Sequence, residues 1–70
     1  MLEKMFANDM AKELNTHDKR YMFLRVLFPH YVSRINLEGS SLETCYRIVD
    51  YFSKSGTYSE LETAFYRIFR

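Results

Sequence analysis

Apolar side chains recur at intervals of three and four along most of this chain. Leu2, Met5, Phe6, Met10 and Leu14 keep that spacing, which stacks side chains on one stripe of an α-helix, so a first helix is expected there. Asn15 and Thr16 interrupt the pattern. Thr16 is placed to cap a second helix by accepting a bond from an unpaired amide, and Asp18 suits the positive end of that helix's dipole. Residues 21–28 are apolar at every position but Arg25, which predicts the central and most buried element. Pro29 lacks an amide hydrogen and crowds its predecessor, so this helix should end or kink near Phe28. A short further helix is expected through Tyr31, Val32 and Ile35.

Residues 36–41 hold Gly39 and two serines and predict a loop. Ser41 is the expected cap of the following helix, with Ser40 the competing choice. Leu42, Cys45, Val49 and Phe52 mark that helix's buried stripe as far as about Lys54, and Gly56 should end it in a left-handed conformation. Thr57 or Ser59 would cap the last helix, Ser59 forming a capping box with Glu62; Leu61, Ala64, Phe65 and Ile68 supply its apolar face. No segment sustains the two-residue alternation of a strand. The expected fold is all-α, a compact bundle of about five helices with short connections.

Composition supports a single folded domain over residues 1–70. The apolar share is 47%, including six Phe and six Tyr, enough for a core in a chain this short. Ten basic residues stand against nine acidic ones, so no large field of one sign draws the chain to nucleic acid or an anionic membrane. Cys45 is the only cysteine, which excludes an internal disulfide and fits a reducing, cytoplasmic setting. Neither a secretory signal nor a transmembrane run is present.

Candidate chemistry is sparse. A nucleophile with its base would have to come from Cys45 with His17 or His30; Cys45 lies on an apolar stripe, where a thiol is a small hydrophobe, and no motif ties the histidines to it. Two histidines thirteen residues apart do not have metal-ligand spacing, and two isolated glycines make no phosphate loop. No catalytic, cofactor-binding or metal residue is assigned, and the chain is read as a binding protein rather than an enzyme. Some of Tyr31, Tyr46, Tyr58 and Tyr66 should reach the surface, where tyrosine favours protein contacts.

The stretch NLEGSSLETCYRIVDYFSKSGTYSEL, residues 36–61, resembles the first type of bacterial effector-associated domain. The matching features are the small residues Gly39 to Ser41, Leu42, Ile48 with Val49, Tyr51, Gly56, and Tyr58 with Leu61. Upstream, Thr16 and the run Phe23, Leu24, Arg25, Val26 extend the likeness over nearly the whole chain. Tyr51 stands where the family usually has tryptophan, Tyr58 where it has leucine, and Pro29 interrupts a segment normally continuous. The resemblance implies a death-domain-like fold, either complete here or cut from a longer chain. It also implies a non-catalytic adaptor that recruits or clusters a protease, nuclease, TIR or NTPase effector in bacterial antiviral defence. Partners would be proteins carrying a similar domain, or further copies of the chain.

Pairing of oppositely charged faces could specify such partners. The candidate residues are Lys19, Arg20 and Arg34 on the basic side and Glu43, Asp50 and Glu60 on the acidic side. Two alternatives remain. One is a small helical nucleic-acid-binding domain built on Lys19, Arg20, Arg25 and Arg34; the other is a stand-alone protein inhibitor.

Overall fold

The computed structural model describes residues 2–69, with the side chain of Leu2 outside the description. Among these residues there are five helices and no strand: α1 (Leu2–Glu13), α2 (His17–Leu27), α3 (Pro29–Val32), α4 (Ser41–Lys54) and α5 (Tyr58–Phe69). Their radius of gyration is 10.5 Å, against about 11 Å for a compact domain of this length. Among the described residues no helix is long and apolar enough to cross a membrane.

Local chemistry sets most of the boundaries. Thr16, in an extended conformation, accepts from the amide of Lys19 at 3.1 Å and starts α2. Phe28 ends it and Pro29 opens α3, where a proline costs no hydrogen bond. α3 closes at Val32, short of Ile35, which is buried from the loop beyond. Gly56, at φ +76°, turns the chain out of α4.

Both ambiguous caps resolve, the first against the preferred serine and the second in favour of Thr57 over Ser59. Ser40, not Ser41, caps α4: its Oγ accepts from the amide of Glu43 at 3.2 Å and donates to the Glu43 carboxylate at 3.0 Å. Ser59 lies inside α5, so it forms no capping box with Glu62; Thr57 immediately precedes the helix, and its carbonyl accepts from Leu61 at 3.2 Å.

The central element is α4 rather than α2. Thr44, Cys45, Ile48, Val49 and Phe52 are buried along it, and α1 and α5 pack on it. In α2 only Arg20, Phe23 and Leu24 are buried, while Met22 and Val26 stand 53% and 67% exposed. A single helical stripe cannot seat seven apolar residues in a run of eight, so those pointing away from Phe23 and Leu24 meet water. Met5, Leu42 and Ile68, expected in the core, are likewise exposed. Their places are taken by Ala7, Thr44 and Ile48. The core is otherwise largely aromatic: Phe6 meets Phe65 and Tyr58 edge-on at 5.4 and 5.6 Å, and Phe52 meets Tyr31 and Phe28 at 4.7 and 4.8 Å.

Candidate interaction surfaces

Of the six charged residues expected at an interface, Arg20 is not on the surface at all. Its side chain is 4% exposed, and its Nη1 donates to the carbonyl of Leu14 at 3.0 Å. That carbonyl lies just past the last residue of α1, where a helix carries unpaired oxygens and the negative end of its dipole. The guanidinium therefore closes a helix end. Ser41 joins it there, its Oγ lying 2.9 Å from the carbonyl of Ala11 and 3.1 Å from that of Leu14. The ends of α1, α2 and α4 meet at this junction.

The other five are exposed, though most are already engaged within the chain. Lys19 Nζ donates to Asn15 Oδ1 at 3.2 Å. Glu43 accepts from Ser40 and lies 4.0 Å from Arg47, and Asp50 pairs with Lys54 at 3.0 Å, both one turn apart on α4. Exposed pairs of this kind contribute at most about 1 kcal/mol and lower the charge offered to a partner. Arg34 and Asp50 line one depression between the α3–α4 loop and α4; Glu60 lines a different groove, beside Leu27, Phe28 and Arg67. These six residues do not form two opposed charged faces.

Two other features stand out. Met22 and Val26, one turn apart, form an exposed apolar strip on α2, with Ile68 and Phe69 also exposed at the end of α5. Phe69 packs on Phe23 with ring centroids 6.3 Å apart, which brings the end of α5 beside the turn of α2 carrying the strip. The i, i+4 interval between Met22 and Val26 was visible in the sequence as a second stripe, distinct from that of Phe23 and Leu27.

The second feature is a pair of tyrosine–carboxylate bonds, one joining α5 to α1 and one within α5. Tyr66 donates to Asp9 Oδ2 at 2.8 Å across 57 positions of sequence, and Tyr58 donates to Glu62 at 3.1 Å. Desolvation, followed by the Glu62 carboxylate, pushes the Tyr58 hydroxyl up to about 12. Tyr31, Tyr46, Tyr58 and Tyr66 are all half-buried, so each packs one part of its ring and shows the rest.

Cys45 is fully buried on α4, and burial pushes its thiol up to about 11. His17 and His30 are exposed on α2 and α3. Among the described residues no three His, Cys, Asp or Glu side chains are gathered closely enough to hold a metal ion. No protein-family model, curated protein or solved structure matches the chain.

Proposed function

We propose that this chain is a protein-interaction adaptor that associates with copies of itself or with similar helical domains. The observation that carries this reading is the exposed apolar strip of Met22 and Val26, beside Ile68 and Phe69. Apolar surface left in water costs about 25 cal/mol per Å², and grouped exposure of this kind is a feature of surfaces that another protein covers. Lys19 and Arg25 flank the strip on α2 and supply the polar rim of such an interface.

The homotypic form of the reading, a death-domain-like adaptor recruiting effectors in bacterial antiviral defence, draws on the resemblance of residues 36–61 and their upstream continuation. The five-helix architecture is compatible with it. The nucleic-acid alternative loses support, because Arg20, one of its four cations, is spent inside the fold.

Light scattering across a concentration series, with co-purification against domains encoded beside this one, tests the proposal. Association that Val26→Asp abolishes, with helical circular dichroism unchanged, is the expected result. Monomers at every concentration, together with no binding to such a neighbour, would overturn it.

A further inference from the structure

The depression between the α3–α4 loop and α4 gathers several hydrogen-bond donors, some tied into the fold and one, the Arg34 guanidinium, unpaired. Arg34, Asn36, Arg47, Asp50, Tyr51 and Lys54 line an opening of about 270 Å³. Arg47 is fixed in place, its Nη1 donating to the carbonyls of Asn36 and Glu38 and so tying the α3–α4 loop over α4. Gly39 makes room for this arrangement: at φ +107° it takes a conformation other residues resist, and a side chain there would meet Arg47 Nη2 at 3.4 Å. Asn36 Oδ1 accepts from the amide of Glu38 at 3.0 Å, which orients its amide group. Lys54 is held at the site by Asp50. The Arg34 guanidinium has no hydrogen-bond or ion-pair partner among the described residues; only its backbone amide is bonded, to the carbonyl of Tyr31 at 2.9 Å.

Within the lining the Asp50–Lys54 pair cancels its own charge and leaves the positive charges of Arg34 and Arg47, that of Arg47 partly offset by exposed Glu43 4.0 Å away. A phosphate monoester carries roughly 1.5 to 2 negative charges at neutral pH and three strong acceptor oxygens, and guanidinium forks match its geometry. A lone carboxylate would neutralise half as much. Glu43, 4.0 Å from Arg47, and Asp50 within the lining oppose a long polyanion, which would bring further phosphates against them. The opening is shallow enough to admit a phosphate on a side chain, with the rest of the bearer outside.

We propose that the α3–α4 depression is a binding site for a phosphate monoester carried on a side chain of a partner protein. Arg34 and Arg47 grip the phosphate oxygens, and Asn36 and Lys54 donate from the edges. The site does not depend on self-association through α2, and a failure of either proposal leaves the other standing.

The test is a heteronuclear NMR titration of the full chain with a blocked Gly-Ser-phosphoserine-Ser-Gly peptide, its unphosphorylated form, inorganic phosphate, and a single-stranded oligonucleotide. The phosphopeptide should shift Arg34, Asn36, Arg47 and Tyr51 resonances saturably, the unphosphorylated peptide should not, and Arg34→Ala should weaken binding by about tenfold with the melting temperature unchanged. Shifts spread evenly over Lys12, Lys19 and Arg67, or unaltered affinity in Arg34→Ala, would overturn the site. Tighter binding of the oligonucleotide, or equal affinity for inorganic phosphate, would overturn its assignment to a phosphorylated side chain.

Discussion

Arg20 donates to the carbonyl of Leu14 at 3.0 Å from a position almost sealed from water, with no carboxylate within 4 Å among the described residues. Its Nε has no partner. A buried guanidinium without a counter-ion is costly, and here the dipole at the end of α1 is what offsets it. Arg20→Ala should lose about 2 kcal/mol, or roughly 10 °C in melting temperature, through the lost charged hydrogen bond and the packed aliphatic stem. Arg20→Met should lose distinctly less, since it keeps the volume, discards the unpaired Nε, and leaves Leu14 bonded to Ser41. Were Arg20 an interface residue, Ala would change stability by less than about 0.5 kcal/mol. Thermal unfolding of the two variants decides.

The neighbouring serines should separate by mechanism. Ser40→Ala removes a helix cap and its capping-box partner, at a cost of about 1 kcal/mol. Ser41→Ala leaves the cap intact and instead removes the link from α4 to the carbonyls of Ala11 and Leu14. The double variant should lose close to the sum, as the two hydroxyls serve different helices. Urea denaturation of the three variants measures this; a stabilising or silent Ser41→Ala would show that the junction rests on Arg20 alone.

These two sites also show what was legible in the sequence. Thr16, Pro29 and Gly56 act on backbone within three residues of themselves, so their effects on α2, α3 and α4 could be read locally. Arg20 and Ser41 act on a helix end 6 and 27 residues back, which nothing in their immediate neighbours reveals. The same limit applied to α2. Residues 21–28 show that apolar side chains exceed one stripe, but not which stripe α4 and α5 cover. That choice turned Met22 and Val26 outward and moved the candidate interface from charge to apolar surface. Arg34, exposed on the α3–α4 loop, has no side-chain partner among the described residues, whereas Glu43 and Asp50 found partners one turn away.

The apolar strip gives a contrast between stability and association. Met22→Ser and Val26→Ser each remove a side chain more than half exposed, so the folded state should change by less than about 0.5 kcal/mol. Association should weaken markedly in each. Leu24→Ser, two positions from each but fully buried, should instead unfold much of the domain. Sedimentation equilibrium with circular dichroism distinguishes the two effects, and a Val26→Ser protein that lost helicity would show the strip to be structural.

Alkaline pH should weaken the fold through two desolvated protons, on half-buried Tyr58 and on buried Cys45. Tyr58 is raised from 10 to about 12 and Cys45 from 9 to about 11, in both cases chiefly by desolvation of the charged form. The unfolded chain therefore releases these protons at lower pH than the folded one, and binds fewer of them within each window. Stability falls as pH rises wherever the unfolded state holds fewer protons, so the contribution is intact below pH 9 and lost progressively to about pH 12. Tyr58→Phe removes the hydroxyl and should flatten the upper part of the fall, between pH 10 and 12, while leaving the part from Cys45 between 9 and 11. Urea unfolding at intervals from pH 8 to 12 reads both slopes. The same burial keeps the Cys45 thiol from reagents, so its alkylation below pH 9 should proceed only through unfolding and accelerate in Arg20→Ala by the factor that the loss of stability dictates. A thiol that reacted at the same rate in both proteins would mean that α4 opens locally around Cys45 without releasing the α1 junction.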